Sequence, residues 1–215
     1  MTVHQKSIEF FIKQDVLQFG DFTLKSGRKS PYFFNTGRLC SGYELSMLGS
    51  LYAELIASTP AFKDATVIFG SAYKGIPIAV STSIALSSQF NNSAIRSVSD
   101  RKEAKTHGDV SGFLGVLKPG DKVVIVDDVI TTGGTKYESI EKLTQAGCEI
   151  LGVVIAFDRK EPISSSKLTA KEEFEQKSGL PVFSLCTIDD VVEHKPDFSG
   201  QYDAYLLKVL EELAV

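Results

Sequence analysis

The fold class follows from Val123-Val-Ile-Val-Asp-Asp-Val-Ile-Thr-Thr-Gly-Gly-Thr135, in which four apolar residues run into two aspartates and a turn of small residues. Residues 122–126 predict a buried strand, and residues 135–146 predict a helix that Gly147 ends. In open parallel sheets, ligands bind beyond the carboxyl ends of the strands. The acidic pair Asp127 and Asp128 and the turn that follows therefore occupy the position of a ligand site.

The turn from Thr131 to Thr135 has the chemistry of a phosphate-binding loop. Glycine and threonine leave backbone N–H groups accessible, a helix N-terminus adds its dipole, and threonine hydroxyls donate hydrogen bonds. The adjacent carboxylates suit sugar hydroxyls, with a hydrated Mg²⁺ ion nearby. The alternative is an ordinary βα turn whose aspartates cap the helix, but this alternative leaves the doubled aspartate unexplained.

Apolar strands alternate with helices on both sides of this stretch. Such alternation is typical of βαβ units and predicts an α/β fold, with a mostly parallel central sheet flanked by helices. The predicted strands are 66–69, 94–98, 122–126, 150–157 and 182–185, and the predicted helices between or after them are 76–86, 135–146 and 168–177.

The first 60 or so residues have a different organisation. Apolar residues from Ile8 to Phe19 recur at helical spacing, and Gly20 follows as a stop signal. Residues 22–35 predict a hairpin, and residues 43–58 predict a helix that Pro60 ends. We expect a single domain, 1–215, with a hood up to about residue 60, an α/β core over about 65–185 and a C-terminal amphipathic helix at about 200–213.

The composition excludes several classes of protein. The chain has 215 residues and a formal net charge of -4, from 23 basic and 27 acidic residues, so neither nucleic acid nor a membrane is expected as a partner. The three cysteines, Cys40, Cys148 and Cys186, lack the number and spacing of a disulfide framework or a zinc site. The N-terminus lacks the apolar core of a signal peptide, and no apolar run has membrane-spanning length. A cytoplasmic enzyme or binding protein is expected.

Two further segments place cations beside the predicted sheet. Asp100-Arg-Lys-Glu-Ala-Lys-Thr-His-Gly108 is a long connection without apolar periodicity, which is typical of a functional lid or of a solvated charged loop. Gly70-Ser-Ala-Tyr-Lys-Gly-Ile76 follows a predicted strand and places Lys74 between glycines. Such a lysine reaches an anion, or the glycines merely cap a helix. From the residues alone, both alternatives stay open for each segment.

Residues 127–135 resemble the phosphoribosyl pyrophosphate (PRPP) signature of type I phosphoribosyltransferases. A further resemblance, to the orotate phosphoribosyltransferases, rests on four motifs that stand in the right order across most of the chain. They are Lys25-Ser-Gly27, Tyr32-Phe-Phe-Asn35, residues 100–108 (the basic segment) and Phe157-Asp-Arg-Lys-Glu161. The resemblance implies the type I phosphoribosyltransferase fold with an N-terminal hood. It also implies a homodimer in which the 101–107 loop reaches the neighbouring active site. Ser71 is a departure, because the family often has proline there.

The resemblance also assigns the site residues. Arg101, Lys105 and His107 are implied as the cross-subunit set, and Lys102 as the cation of the same subunit. The implied catalytic residues are Lys102, Lys105, His107, Asp127 and Asp128. The implied PRPP-binding residues are Lys25, Tyr73, Lys74, Arg101, Lys102, Lys105, His107, Asp127, Asp128, Val129, Ile130, Thr131, Thr132, Gly133, Gly134 and Thr135, and the implied orotate-binding residues are Lys25, Phe33, Phe34, Thr131 and Arg159.

Orotate is a flat ring that carries a carboxylate, so its site needs an aromatic surface and a cation. A bidentate guanidinium, here that of Arg159, is the strong partner for a carboxylate. Adjacent side chains on a strand face opposite ways, so at most one of Phe33 and Phe34 stacks on the ring while the other contributes backbone contacts. Ordinary core packing is the alternative for both phenylalanines.

The implied reaction joins orotate and PRPP to give orotidine 5′-monophosphate and pyrophosphate, in de novo pyrimidine synthesis. The Mg²⁺ ion is expected to be held mainly by substrate oxygens and water, with Asp127 and Asp128 nearby. A salvage enzyme acting on a purine or uracil is one alternative, but it accounts for the PRPP signature alone. A PRPP-sensing regulator that binds RNA or DNA without turnover is the other, and the net charge of -4 speaks against it.

Overall fold

The computed structural model describes residues 1–23, 27, 29–101, 112–131, 133–162 and 168–194. Among these residues, strands and helices alternate after residue 66, apart from three strands in succession within residues 96–127. The elements are α1 (Val3–Lys13), β1 (Leu17–Thr23), β2 (Lys29–Phe34), α2 (Gly42–Ser58), β3 (Val67–Gly70), α3 (Gly75–Gln89), β4 (Arg96–Asp100), β5 (Phe113–Leu114), β6 (Lys122–Asp127), α4 (Gly134–Gln145), β7 (Glu149–Asp158), α5 (Ala170–Ser178), β8 (Val182–Thr187) and α6 (Ile188–His194).

The main sheet has the strand order β5-β4-β3-β6-β7-β8. The short β5 pairs antiparallel with β4, and the other neighbours are parallel. This arrangement confirms the predicted α/β fold with a mostly parallel central sheet. The strands β3 and β6 lie at the centre of the sheet. The strand that follows β3 in the chain, β4, lies on one side of this centre, and those that follow β6, namely β7 and β8, lie on the other. The crevice where the direction changes, between the carboxyl ends of β3 and β6, is where such sheets bind ligands.

Helices cover both faces of this sheet. Alternate strand residues, among them Ile68 and Val124, pack with α1, α2 and α3 on one face. Their neighbours Val67 and Val123 pack on the other face with Leu143 of α4 and with α5. Residues 123–126 are 0% exposed because side chains of both orientations meet a helix layer. The strands are therefore continuous apolar runs, as parallel strands require.

The N-terminal helices share this hydrophobic core. Residues of α1 and α2 belong to the same buried cluster as the first face of the sheet. Gly49 of α2 lies against Ser81 of α3 so closely that a Cβ there would come within 2.7 Å of the Cβ of Ser81. The division into a hood and a core stays an interpretation. Within the described part of the chain, no helix is both long and apolar enough to cross a membrane.

The prediction of one helix through Phe19 was wrong. The helix α1 ends at Lys13, Asp15 takes a positive φ of 54°, and β1 begins at Leu17. Val16 and Phe19 match helical spacing, yet they belong to the turn and to the strand that follow. Gly20 is thus not a helix stop but lies inside β1, where the register shifts between Phe19 and Phe22. The hairpin itself is confirmed, because β1 and β2 pair antiparallel.

Other boundaries differ from the predicted ones by a few residues. The strand predicted at 94–98 is β4, Arg96–Asp100, and the helix predicted at 76–86 is α3, which extends to Gln89. The helix α6 was not predicted. The helix predicted at about 200–213 lies outside the described residues.

Candidate active site

The acidic pair ends β6 at the crevice between β3 and β6. Asp127 and Asp128 are buried, with 9% and 7% of their surfaces exposed. Their backbones are anchored, because the Tyr52 hydroxyl donates to the Asp127 carbonyl at 2.7 Å and the amide of Ala156 donates to the Asp128 carbonyl at 2.9 Å. One carboxylate oxygen of each aspartate accepts the amide of the next residue, at 2.9 Å in both cases. The remaining carboxylate oxygens are left for side-chain partners.

Each of these oxygens has a lysine. Lys74 Nζ lies 2.7 Å from Asp128 Oδ2, and Lys136 Nζ lies 2.5 Å from Asp127 Oδ2. Lys136 also donates to the carbonyl of Val129 at 2.8 Å. The two pairs differ in environment, because the Lys136 side chain is 5% exposed and that of Lys74 is 52% exposed. Lys136 is thus a fixed part of the first turn of α4, whereas the more exposed Lys74 is able to exchange its partner.

Burial governs the titration of Asp127. Desolvation raises the pKa of its carboxyl group above the ordinary value, the Lys136 ammonium opposes this shift, and the Asp128 carboxylate adds to it. A buried carboxylate without a cation would favour its protonated form. Lys136 therefore keeps Asp127 available as an anion that accepts hydrogen bonds.

The turn before α3 is set by two glycines that touch. A Cβ on Gly70 would overlap the Gly75 carbonyl and lie 2.9 Å from the Cβ of Ala79. A Cβ on Gly75 would lie 2.8 Å from the Gly70 carbonyl carbon and 3.2 Å from the Val126 carbonyl oxygen. Because only a hydrogen atom fits at either position, the turn is drawn in against the end of β6, and Lys74 comes within reach of Asp128.

Side chains hold the same turn from the other side. Ser71 is 3% exposed, and its hydroxyl lies 2.8 Å from that of Ser139 on α4. The amide of Ala72 donates to Asp100 Oδ1 at 2.7 Å, and Asp100 Oδ2 pairs with Lys142 at 2.8 Å. Where the family often has proline, this chain therefore fixes the turn with a buried hydroxyl pair and a carboxylate.

The small-residue loop connects the acidic pair to α4. Gly133 has a φ of 73°, and a Cβ there would lie 3.0 Å from the Phe174 ring and 3.1 Å from the Tyr137 ring. The loop backbone thus needs glycine for both conformation and space. Thr131, Gly134 and Thr135 are exposed at the helix N-terminus, and Ile130 is buried. Thr132 lies outside the described residues.

The hairpin phenylalanines have separate environments. Phe34 is 7% exposed and stacks on Phe157, with ring centroids 4.8 Å apart, and it meets Phe11 edge-on at 5.1 Å. The Phe34 ring is therefore core, and only its backbone is left for a substrate. Phe33 points the opposite way, is half-buried and lies 5.6 Å from the Phe22 ring. Lys25 lies outside the described residues.

Arg159 follows β7 at the same edge of the sheet. Its Nη2 lies 2.8 Å from Glu161 Oε1, and its Cζ lies 5.1 Å from the centre of the Tyr32 ring. The side chain of Arg159 is 13% exposed. Since β7 is the direct neighbour of β6, this guanidinium stands one strand away from the acidic pair.

The basic segment is described only at its start. Arg101 donates from Nε to the Phe113 carbonyl at 3.0 Å, and its amide donates to the Gly112 carbonyl at 2.9 Å. These bonds link Arg101 to Gly112 and to Phe113, the first residue of β5. Lys102, Lys105 and His107 lie outside the described residues, so their predicted roles stay predictions.

Sequence reasoning missed Lys136, Asp100, Tyr52 and Glu161. Lys136 had a usable signal, because a lysine in the first turn of a helix opposes the helix dipole and needs a local anion. Asp100 and Tyr52 belong to elements distant in sequence and had no such signal. Glu161 stands two residues after Arg159 in the same motif, but the motif alone gives it no role.

The site combines carboxylates and cations at neighbouring strand ends. Fixed carboxylates and an exchangeable lysine meet at the switch point, small-residue loops surround them, and a guanidinium lies one strand away. Such a layout suits a ligand with several anionic groups and sugar hydroxyls. No cluster of three or more His, Cys, Asp or Glu side chains placed to hold a metal ion occurs in the part of the chain that the structure describes.

Comparisons with known proteins agree with this layout. The model of the phosphoribosyl transferase domain family matches residues 46–183. An orotate phosphoribosyltransferase of Marinobacter nauticus is 45% identical over 199 residues, covering 91% of this chain and 91% of that protein. One of Agathobacter rectalis is 44% identical over 190 residues, covering 87% and 83%. The crystal structure of an orotate phosphoribosyltransferase of Francisella tularensis superposes with a TM-score of 0.82 at 35% identity, covering 95% of this chain and 97% of that one.

Proposed function

We propose a full reaction for this chain, which belongs to the orotate phosphoribosyltransferases of the phosphoribosyltransferase family. In this proposal it transfers the 5-phosphoribosyl group from PRPP to orotate in a Mg²⁺-dependent step, as part of de novo pyrimidine synthesis in the cytoplasm. The bond from C1′ to the pyrophosphate oxygen breaks, a bond from C1′ to a ring nitrogen of orotate forms, and that nitrogen loses its proton to water. The observation that carries the proposal is the lysine-balanced acidic pair at the switch point, with Arg159 one strand away.

Residues that follow different strands are proposed to bind different parts of the two substrates. Asp127 and Asp128 accept hydrogen bonds from the ribose hydroxyls, and the loop from Val129 to Thr135 surrounds the 5′-phosphate. Tyr73 and Lys74 hold the pyrophosphate, for which Lys74 leaves Asp128. Thr131 and Arg159 face orotate with Lys25, while Phe33 offers a ring and Phe34 its backbone.

Catalysis is proposed to come from positioning and from charge placed at the leaving group. An oxocarbenium-like sugar forms as pyrophosphate departs, and closure of the basic segment excludes water from it. Lys105 or His107 is the proposed proton donor to the departing pyrophosphate.

The residues present fit a Mg²⁺ ion that brings its own ligands. Both aspartates at the site already have lysine partners, so the described residues offer no dedicated cage. Mg²⁺ commonly keeps several waters and binds through substrate phosphates with few carboxylates. Asp127 and Asp128 would stand beside such an ion, which supplies charge neutralisation at the pyrophosphate.

The substrate is tested by mixing the protein with PRPP, Mg²⁺ and one base at a time. Orotate absorbance is expected to fall and pyrophosphate to appear, whereas adenine, hypoxanthine and uracil leave pyrophosphate at background. Turnover of a purine or uracil instead would support the salvage alternative. Tight binding to RNA or DNA in a gel-shift, without pyrophosphate release, would support the regulator.

The Lys105→Ala variant tests the basic segment. Turnover at saturating substrate is expected to fall by about 10²–10³, because one preorganised donor at the leaving group is lost. Lys63→Ala, at an exposed lysine outside the site, serves as the control. If Lys105→Ala turns over like the wild type, the segment is only a cover.

We also propose that two copies of this chain form a homodimer. It is supported by a groove of about 420 Å³ between α2 and α3, lined by apolar residues that include Leu45 and Pro77. Val80 and Ile84 of α3 also line this groove and are 43% and 63% exposed. Because α3 begins directly after Lys74, a second copy on this face would lie next to the active site, as a cross-subunit loop requires.

Ile84→Glu is expected to convert the dimer to a monomer, because it places a charge in the apolar contact. The mass in solution is measured by light scattering after size exclusion, with Val116→Glu as the matched control. Val116 is also apolar and 62% exposed, but it lies outside the groove. An Ile84→Glu protein with the wild-type mass would place the interface elsewhere.

A further inference from the structure

Tyr32, Arg159 and Glu161 form a three-member cluster where the hairpin meets the end of β7. The Tyr32 hydroxyl donates to Glu161 Oε1 at 3.1 Å, and Arg159 Nε donates to the Tyr32 hydroxyl at 3.4 Å. Glu161 Oε1 also lies 2.8 Å from Arg159 Nη2. One carboxylate oxygen therefore contacts both other members. The three side chains contact one another, and they join elements that lie 127 residues apart in sequence.

The Tyr32 ring is the platform of this cluster. Tyr32 is 3% exposed, and its ring lies edge-on to Phe157 with centroids 6.0 Å apart. The Arg159 guanidinium carbon lies 5.1 Å from the ring centre, which is within cation–π range. Burial and the Glu161 carboxylate raise the pKa of Tyr32 well above its ordinary value, so its hydroxyl stays protonated and remains a donor. Tyr32 is thus held by the core and in turn holds the guanidinium.

The guanidinium is fixed but not saturated. Arg159 Nη2 is buried and, among the described residues, has no hydrogen-bond partner of good geometry, although Glu161 is close. A guanidinium presents five N–H donors, and a carboxylate takes two of them side by side. The cluster therefore orients Arg159 without using all of the donors that a substrate carboxylate needs.

An Arg159 guanidinium that is oriented before the substrate binds strengthens the complex. A free arginine side chain loses rotamer entropy when it is immobilised. A side chain that is already held loses less of this entropy on binding, so preorganisation strengthens the complex without adding a contact. Before the substrate binds, Glu161 also neutralises the charge of Arg159. The Arg159 side chain is largely buried, and an unpaired charge there is costly.

We propose that Tyr32 and Glu161 are positioning residues, which hold the Arg159 guanidinium ready for the carboxylate of orotate and so contribute to the choice of a carboxylate-bearing base. This proposal rests on the proposed function, because it names a support of the same substrate site. Neither residue is proposed to touch the reacting atoms. Their effect is expected on orotate binding alone, and not on PRPP.

Glu161→Ala is the first test. We expect the KM for orotate to rise about tenfold, which corresponds to loss of one modest charged contact, with the KM for PRPP and kcat within about twofold of the wild type. Glu161→Gln keeps a side-chain oxygen that accepts from Tyr32 and is expected to recover part of the loss. Glu54→Ala, which breaks the exposed pair with Lys6, is the matched control.

Tyr32→Phe and Tyr32→Leu separate the two contributions of the tyrosine. The first keeps the ring and removes the hydroxyl, and the second removes both, so the KM for orotate is expected to rise in that order. Thermal unfolding and the KM for PRPP report whether each variant is still folded with an intact PRPP site.

The outcomes distinguish the inference from the function on which it rests. If the wild type does not consume orotate, the proposed function fails. If it does, and Glu161→Ala keeps the wild-type KM for orotate, the positioning role is refuted. A lower KM in Glu161→Ala would also overturn it, because Glu161 would then compete with orotate for Arg159. A parallel rise in both KM values, with an earlier unfolding transition, would assign the residue to stability alone.

Discussion

Lys136→Met is expected to lower the free energy of unfolding by about 3–5 kcal/mol, because it leaves the buried Asp127 carboxylate without its cation. Methionine keeps most of the side-chain volume, so lost packing contributes little. Asp127 accepts hydrogen bonds from Lys136 at 2.5 Å and from the Asp128 amide at 2.9 Å, and only the second remains in the variant. Urea unfolding measures the change. Lys122→Met is the control, because its pair with Asp64 is exposed at 3.4 Å and its loss is expected to cost no more than about 0.5 kcal/mol.

The loss in Lys136→Met depends on pH in a predictable direction. Burial raises the pKa of Asp127 in the folded protein, and removal of Lys136 raises it further. A carboxyl group with a raised folded-state pKa contributes stability that is present below its ordinary pKa and is lost as the pH rises through the folded value. The variant is therefore expected to lose more stability at about pH 8 than at about pH 5. Equal losses at both pH values would contradict the buried-charge explanation.

A double variant separates stability from activity. Lys136→Met with Asp127→Asn removes both charges, and much of the lost stability is expected to return. Activity is not expected to return, because the Asp127 carboxylate is the proposed acceptor of a ribose hydroxyl. Recovery of full turnover in the double variant would remove Asp127 from the proposed site.

Gly70→Ala is expected to reduce turnover about 10²-fold, although it adds only one methyl group. Its Cβ would overlap the Gly75 carbonyl, so the turn must move away from the end of β6. Overpacking of this kind costs about 1–3 kcal/mol of stability. The loss of turnover has a geometric cause, because the moving turn displaces Lys74 and Tyr73 by about 1 Å from the pyrophosphate that they are proposed to hold.

Gly42→Ala is the matched control for this change. Gly42 opens α2, and a Cβ there meets no atom within 4 Å among the described residues. We expect wild-type turnover and a slight gain in stability, since alanine is the better helix former. Steady-state kinetics with PRPP as the varied substrate compares the two variants. If Gly70→Ala keeps the wild-type kinetics, the turn is not the rigid support of Lys74.

The sequence predicted the layers of this fold well, because both signals it used are local. Continuous apolar runs such as 123–126 mark strands that are buried on both faces, and the aspartates that follow mark the end of β6. The same reasoning failed at Val16 and Phe19. Apolar residues three apart fit a helix, but they also fit a turn that leads into a strand, and only the packing of β1 against β2 distinguishes these cases.

The sequence predicted which residues belong to the site, but not which side chains contact one another there. Asp127, Asp128, Lys74 and Arg159 were predicted as site residues, and the structure places them at neighbouring strand ends. Their partners were not, because the partners follow from tertiary contacts. Phe34 shows the same limit, since an aromatic residue in a binding motif and one in the core look alike until the neighbouring ring of Phe157 is known.

The Lys74–Asp128 pair has a consequence for how affinity arises. Because the Lys74 ammonium already has a counterion, the proposed binding of pyrophosphate to it is an exchange of one anion for another and not the filling of a vacant positive site. The free energy of binding then counts only the difference between the two pairings. In the proposed reaction, substrate and product bind through the same exchange, and pyrophosphate is released when Asp128 pairs with Lys74 again. Under the proposed function, Asp128 would promote release of the product as well as bind the sugar.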